Sequence, residues 1–252
     1  LEPHIEAAMN RVPAFGEVGI KKVYNGAIAY TPDGNPIIGP AWDLDNFWLN
    51  EGHSFGITAA GGAGWQLAEW IVEGEPTIDM LGVEPRRFGD YATKKYLIEK
   101  NEEAYAHVFI THYPDEERPA ARPLRTAPCY ERMKERGAVF GQKFGWERPN
   151  FFATDGMPQE DDWSFRRSRW FEAIRREVAN TTENVGLLDL TAFAKCRVSG
   201  PGAESFLDYL VANTLPKKVC GVSLAHALNR KGGVHSEFTI RRESNDSFYK
   251  VT

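Results

Sequence analysis

The stretch that most constrains this chain is residues 48–74, which combine a short apolar strand, a loop and a helix. The strand centres on Trp48, and the loop that follows reads Gly-His-Ser-Phe-Gly. Apolar and small residues then recur at helical spacing, at Ile57, Ala60, Gly64, Leu67 and Ile71. Because this spacing places them on one side of a helix, we expect that side to face the protein core.

The first turns of this helix contain a cluster of alanine and glycine at positions 59–64. Each glycine inside a helix costs about 0.5–1 kcal/mol relative to alanine, so such a cluster suggests that a neighbour lies close to the backbone. A loop that opens a helix also presents free N–H groups and the positive end of the helix dipole. Two interpretations follow: a flavin lies against the start of the helix, or the glycines pack tightly on a sheet.

Composition describes an ordinary globular chain of one large or two modest domains, with 252 residues, 42% hydrophobic and 26% charged. The formal net charge of −5 disfavours a general nucleic-acid binder. We expect no membrane association, because no apolar run approaches the roughly 20 residues that span a bilayer. Three scattered cysteines and six histidines without ligand spacing predict neither a disulfide frame nor a metal site.

Local patterns predict an α+β chain. Helices are expected over residues 1–16, 92–108, 130–136, 164–180 and 202–211, and strands over 17–30, 37–40, 138–146, 186–190 and 194–198. A turn cluster is expected at 30–36, and a hairpin that joins 225–229 to 233–241. The final residues, 248–252, read as a strand that needs a partner, which predicts that the chain is a piece of a longer polypeptide.

Two further patterns favour structural rather than chemical roles. The segment Gly200-Pro201-Gly202 follows a strand and opens a helix, but a serine replaces the last glycine of a dinucleotide fingerprint, so a plain strand–turn–helix is favoured. The arginine-rich segment 164–180 is interpreted as a solvated helix face rather than a polyanion site.

Several segments together resemble a known family in collinear order. The first group resembles the C-terminal part of the flavin domain of dimethylglycine and sarcosine dehydrogenases, a domain similar to D-amino-acid oxidase. This group comprises residues 24–26, residues 30–40 and the loop and helix of residues 52–64. Residues 113–118 and 145–149 resemble the central connecting domain of that family. Residues 164–171, 188–190 and 231–237 resemble the start of its folate-binding domain, which is similar to the glycine-cleavage T-protein.

The resemblance implies three parts: residues 1–87 from the flavin domain, 88–145 from the connecting domain and 146–252 from the folate domain. It implies FAD-dependent oxidation of an N-methylated glycine to an iminium and transfer of the one-carbon unit to tetrahydrofolate. The loop is then the flavin-binding segment, formed by Gly52, His53, Ser54, Phe55, Gly56 and Ile57. His53 and Tyr24 are candidate catalytic residues, and Glu237 is the candidate folate-facing acid.

The resemblance also implies partners that the chain itself does not contain. These are a small methylated amine, an electron acceptor (electron-transfer flavoprotein or oxygen) and further N-terminal and C-terminal parts of the same polypeptide. The expected location is the cytoplasm of a bacterium or the mitochondrial matrix of a eukaryote. His53 stands where some relatives have phenylalanine, which leaves sarcosine, dimethylglycine and another methylated amine open as substrates. Glu237, the candidate folate-facing acid, stands where several relatives have aspartate. The alternative function is a non-catalytic regulatory relative with the same domain order.

Overall fold

The computed structural model describes residues 1–154 and 156–252 and shows a mixed α+β chain. Two compact units are present. Unit 1 comprises Leu1–Arg87 and Lys100–Val108, and unit 2 comprises Phe88–Glu99 and Phe109–Thr252. Among the described residues, no helix is both long and apolar enough to cross a bilayer.

The helices are α1 (Glu2–Arg11), α2 (Gly56–Glu73), α3 (Lys94–His107), α4 (Tyr130–Glu135), α5 (Trp170–Glu183) and α6 (Ala203–Leu210), with short 3-10 helices at Pro13–Gly16 and Pro85–Arg87. The strands are β1 (Ile37–Pro40), β2 (Trp48–Glu51), β3 (Ala138–Lys143), β4 (Trp146–Phe152), β5 (Lys195–Ser199), β6 (Val222–Leu228), β7 (Val234–Arg242) and β8 (Ser247–Val251). They form the antiparallel pairs β1–β2 and β3–β4 and an antiparallel sheet ordered β5-β8-β7-β6.

The core of unit 1 forms where α2 packs on the β1–β2 pair. Trp70 of α2 is 6% exposed and meets Trp48 of β2 edge to face, with ring centroids 6.0 Å apart. Gly39 of β1 has a φ of +136°, and a Cβ added there would lie 2.9 Å from the Trp70 ring. Because only glycine leaves room for this ring, Gly39 allows the indole to seat against the strand and fixes the position of α2.

A buried arginine fixes the turn that precedes β1. Arg87 is 7% exposed, and its guanidinium donates two hydrogen bonds to the Asp33 carboxylate, from Nε at 2.7 Å and from Nη2 at 3.1 Å. The same guanidinium donates to the Asn35 and Val83 carbonyls at 2.9 and 2.7 Å. Because the planar guanidinium satisfies carboxylate and carbonyl oxygens together, it holds the turn as one rigid unit.

In unit 2 a second buried ion pair anchors the proline- and arginine-rich segment of residues 111–128. Arg122 donates from Nε and Nη2 to the two carboxylate oxygens of Glu147 at 2.9 and 2.6 Å, and Nη2 also donates to the Phe140 carbonyl at 2.8 Å. The Glu147 side chain is 2% exposed. This two-point pairing ties the segment to the β3–β4 pair.

The largest core lies between α6 and one face of the four-stranded sheet. Its fully buried members are Leu207 of α6, Ala225 of β6, Ile240 of β7 and Phe248 of β8. Residues two apart on each strand share this face, so the residues between them point to the opposite, open face. The sheet therefore presents one packed face and one open face.

Several predicted elements are wrong, each because its partner is a matter of tertiary structure. Residues 17–30 and 186–190 form no strand, and no strand among the described residues pairs with either segment. The predicted strand over 138–146 ends earlier, because β3 stops at Lys143 and Trp146 begins β4. The helix α5 begins at Trp170 rather than residue 164. The terminal strand, predicted to need a partner, has two, because β8 lies between β5 and β7.

The core-facing side of α2 also differs from the predicted stripe. Ala63 and Trp70 are buried and Leu67 packs partly against the same core, whereas Ile57 is completely exposed. The sequence pattern did not identify the buried side, because Ala63 is one of several small residues in α2 that cannot be told apart by type. Trp70 lies outside the helical spacing that defined the predicted stripe.

The close approach of Gly39 to Trp70 yields a stability prediction. Gly39→Ala places a methyl group against the indole at a positive φ, and we expect a loss of about 1–3 kcal/mol in the free energy of unfolding. Urea unfolding followed by tryptophan fluorescence measures it. Gly26→Ala is the control, since a Cβ there meets nothing within 4 Å. Equal unfolding midpoints for the two variants would contradict the packing role of Gly39.

Candidate functional site

The predicted flavin-binding loop joins β2 to α2 and rests on the turn that Arg87 holds. Gly52 begins the loop with a φ of +70°, and a Cβ added there would lie 2.8 Å from Thr31 Cγ2. Thr31 is itself buried and donates from Oγ1 to the Asn35 carbonyl at 2.7 Å. Since Gly52 leaves room for Thr31, the start of the loop has a defined position against a rigid turn.

The helix that follows opens without a side-chain cap. Phe55 occupies the N-cap position of α2, and no side chain makes a capping hydrogen bond there within the described part of the chain. The first intrahelical bond runs from the Ala59 N–H to the Phe55 carbonyl at 3.0 Å. Among the described residues the N–H groups of Gly56, Ile57 and Thr58 have no acceptor, so they can bind an electronegative partner, and the helix dipole favours negative charge there.

His53 lies within the loop and has one ring nitrogen bonded and one without a partner. Its Nε2 lies 2.7 Å from Asn50 Oδ1, while its Nδ1 is buried and has no hydrogen-bond partner among the described residues. When Nε2–H donates to the Asn50 oxygen, Nδ1 is the unprotonated acceptor. A buried acceptor without a donor is costly, so this nitrogen is suited to receive a donor from a bound molecule.

The small-residue side of α2 is open. A Cβ added at Gly61, Gly62 or Gly64 would meet no heavy atom within 4 Å outside the backbone of the helix. Within the described residues these glycines are therefore not the contact between the helix and its sheet, which uses Ala63 and Trp70 instead. This excludes, for this chain, the interpretation in which the glycines pack on the β1–β2 pair.

The other predicted site residues lie elsewhere. Tyr24 is 83% exposed, within the segment that forms no strand, and its ring lies 4.7 Å from Lys22 Nζ. A ring so exposed is not packed on the loop, so the structure does not bring Tyr24 and His53 together. Glu237 lies on β7 in unit 2, directly opposite His226 of β6.

His226 forms a contact with Glu237 that the sequence patterns did not indicate, and Asn213 in turn contacts His226. His226 Nε2 lies 2.8 Å from Glu237 Oε2, and Asn213 Oδ1 accepts the His226 backbone N–H at 2.8 Å. The hairpin over these strands was predicted, but counting from its turn pairs position 226 with position 236. The register shift between Ala227 and Leu228 brings Glu237 opposite His226 instead, and no local sequence signal specifies that shift.

Unit 2 also contains an acidic cavity of about 310 Å³ that the sequence patterns did not indicate. Four carboxylates line it with two indole rings and a single arginine, from Asp115, Glu116, Glu117, Asp161, Trp163, Trp170 and Arg148. Burial raises the pKa of Asp161 above its ordinary value, and the neighbouring charges of Asp162 and Glu117 raise it further. The folded protein therefore favours the protonated form of this carboxyl group.

Three family models match the chain in order, which decides its family. FAD dependent oxidoreductase matches residues 1–70, FAD dependent oxidoreductase central domain matches 73–127, and GCVT N-terminal domain matches 129–252. Dimethylglycine dehydrogenase from Mus musculus is 36% identical over 253 residues, which cover 100% of this chain. This chain belongs to the dimethylglycine and sarcosine dehydrogenase family.

Other members of the family have different names. Sarcosine dehydrogenase from Homo sapiens is 30% identical over 95% of this chain. The pyruvate dehydrogenase phosphatase regulatory subunit from Mus musculus is also 30% identical, over 100% of this chain. The chain spans only about 29% of the length of each of these relatives, which are named as mitochondrial. It carries the C-terminal part of the flavin domain, the central domain and the N-terminal part of the folate domain, in that order.

The residues of this chain fit one wall of a flavin site. Three observations agree: the open glycine side of α2, the uncapped N–H groups at its start and the unpartnered Nδ1 of His53. The open glycine side leaves room for a planar ring against the backbone. The N–H groups offer hydrogen-bond donors to that ring, and His53 Nδ1 offers an acceptor.

The raised pKa of Asp161 predicts a pH-dependent stability. Because the folded-state pKa is higher than the unfolded one, stability falls as pH rises from the ordinary aspartate range through the raised value. We expect Asp161→Asn to be more stable than the parent at pH 7 and indistinguishable from it in acid, as measured by urea unfolding at a series of pH values.

Asp162→Asn is the matched control for that experiment. The Asp162 carboxylate accepts the Arg169 backbone N–H at 2.9 Å and lies 3.3 Å from the Arg169 guanidinium, so its loss should not stabilise the fold. Stabilisation by Asp162→Asn but not by Asp161→Asn would show that burial is not the cause.

Proposed function

We propose that this chain is part of an FAD-dependent dehydrogenase that oxidises an N-methylated glycine and passes the one-carbon unit to tetrahydrofolate. The observation that carries the proposal is the collinear match of three family models, together with 36% identity to dimethylglycine dehydrogenase. The proposed divisions are residues 1–87, 88–145 and 146–252. The donor is a small methylated amine, sarcosine or dimethylglycine, and the electron acceptor is electron-transfer flavoprotein or oxygen.

In this proposal the loop of residues 52–57 and the first turns of α2 hold the flavin. FAD, when bound, supplies the acceptor for a hydride that leaves the N-methyl carbon of the amine. The N–H groups at the start of α2 offer hydrogen bonds to an electronegative edge of the ring and favour negative charge beside it. Gly61 and Gly62 allow the ring to approach without a side chain in the way.

His53 and Tyr24 are proposed to face the substrate side. The unpartnered Nδ1 of His53 can accept a hydrogen bond from a donor in the site. Tyr24, which is 83% exposed here, is the weaker of the two candidates because nothing in the described chain orients its ring toward the loop. Glu237 is proposed to face tetrahydrofolate in unit 2.

The enzyme proposal is tested on the full-length polypeptide. A purified protein with a flavin absorbance spectrum that is bleached by dimethylglycine or sarcosine without oxygen would support it. A colourless protein, or a flavin that neither amine reduces, would overturn it. The named locations of the relatives support the mitochondrial matrix as the site of action if the organism is a eukaryote.

The second candidate function is that of a regulatory subunit without turnover. Its support is the 30% identity to the pyruvate dehydrogenase phosphatase regulatory subunit over the whole chain. The same experiment separates the two functions. If the protein is a regulatory subunit without turnover, neither dimethylglycine nor sarcosine will reduce a bound flavin.

The open side of α2 gives a prediction about flavin retention. We expect Gly62→Leu to lower the flavin content of the full-length protein about tenfold or more, because the added side chain fills the space above the helix. Folding should be preserved, since a side chain there meets no atom of unit 1 within 4 Å of its Cβ.

Flavin content is read from the ratio of absorbance at 450 and 280 nm, and folding from circular dichroism. Val72→Leu is the control, because it adds bulk to an exposed position in the last turns of the same helix, about 15 Å from Gly62. Normal flavin content in Gly62→Leu would show that the ring does not lie against this side.

A further inference from the structure

The strands β6 and β7 bring a histidine and a carboxylate together on the open face of the sheet. His226 pairs with Glu237 across the strands, and Nε2 lies 2.8 Å from Oε2. The side chains are 30% and 58% exposed, so neither belongs to the core. The adjacent positions Ala225 and Ala227 point the other way and are buried beneath the sheet.

Asn213 holds the histidine from the other side. Its Oδ1 accepts the His226 backbone N–H at 2.8 Å and lies 3.3 Å from His226 Nδ1. Because a backbone N–H can only donate, the atom that Asn213 presents must be its oxygen. The neighbouring Ala212 N–H also donates to the His226 carbonyl at 2.9 Å, so the segment is bonded to the strand at both ends of the residue.

Both ring nitrogens of His226 therefore face oxygen acceptors, and the ring acts as a donor toward Glu237. That hydrogen bond occupies Oε2, while the described residues offer Oε1 no hydrogen bond. One carboxylate oxygen is thus oriented by the protein and the other is left for a donor from outside.

Stability alone does not account for this arrangement. An exposed ion pair contributes only about 0–1 kcal/mol. The pair also lies between apolar residues on an open face, since Leu224 and Leu228, two positions either side of His226, are 54% and 44% exposed. A carboxylate that is oriented, half exposed and bordered by apolar surface is suited to a ligand that has both an N–H donor and a flat apolar ring.

We propose that His226 is a positioning residue that aims Glu237 Oε1 at an N–H of tetrahydrofolate during one-carbon capture, with Asn213 fixing His226. The inference rests on the proposed function. In capture, the iminium carbon forms bonds to N5 and N10 of tetrahydrofolate and its bond to the amine nitrogen breaks. The two folate nitrogens lose two protons, of which one goes to the departing amine and the other to solvent. Glu237 Oε1 accepts a hydrogen bond from one of these N–H groups, which turns the lone pair of that nitrogen toward the carbon.

The test uses the full-length polypeptide and measures how one-carbon units divide between 5,10-methylenetetrahydrofolate and free formaldehyde. We expect His226→Ala to reduce the capture rate at saturating tetrahydrofolate about tenfold or more. Flavin reduction by the amine should not change, because His226 lies in unit 2 and not in the loop. His226→Gln retains an N–H donor at similar reach and should recover capture to within about threefold of the parent.

The control is His235→Ala, which removes an exposed histidine from the same strand as Glu237 and should leave capture unchanged.

A double-variant cycle separates a positioning role of His226 from a general loss of structure in the folate-binding unit. When Glu237→Gln is already present, His226→Ala should cause no further loss, because it acts only through that carboxylate. Unchanged capture in His226→Ala, equal loss in His235→Ala, or additive losses in the double variant would overturn the inference.

A binding measurement keeps this inference separate from the flavin chemistry. If neither amine reduces the flavin of the parent protein, the proposed oxidation fails, and calorimetry with 5-formyltetrahydrofolate decides the inference instead. This probe retains its N10–H and needs no turnover. Weaker binding by both His226→Ala and Glu237→Gln, with no further loss in the double variant, would support the positioning role. Equal affinity of the parent and His226→Ala would refute it.

Discussion

The buried guanidinium of Arg87 is the contact on which the proposed flavin wall depends. It binds the Asp33 carboxylate at two points and the Asn35 carbonyl of the same turn, and only 7% of the residue is exposed. That turn supplies Thr31, against which Gly52 lies, and Gly52 begins the loop that leads into α2. Removing one partner of such a buried pair leaves an uncompensated charge, so the loop, the turn and the start of β1 are expected to depend on one another.

The second support for the same wall is the indole of Trp70, which seats against Gly39 on β1. One contact fixes the start of the loop and the other fixes the far part of the helix, so the first turns of α2 are held between two rigid points. The glycines in those turns therefore do not pack against other residues of unit 1, and the space beside them is open. A rigid scaffold beneath an open, uncapped helix start is what a bound ring system requires of its protein wall.

Unit 2 builds its own candidate site by a different principle. There a hairpin register, rather than a loop and a helix, places the functional side chains, because directly opposed residues on antiparallel strands lie close enough to bond. His226 and Glu237 meet in this way, and the short segment after α6 adds Asn213. The acidic cavity of the same unit shows the opposite case, since its carboxylates crowd together and Asp161 is driven toward its protonated form.

The sequence by itself determined the elements whose signals are local. The turn cluster of residues 30–36 preceded a strand and the 225–241 hairpin formed as predicted, because turn chemistry and periodicity act over a few neighbours. Collinear motifs likewise sufficed for the family. Only the tertiary structure decided which side of α2 is buried, that residues 17–30 form no strand, and that Glu237 meets His226, which Asn213 contacts. Each of these depends on a partner distant in sequence, and no local pattern specifies which surface that partner will cover.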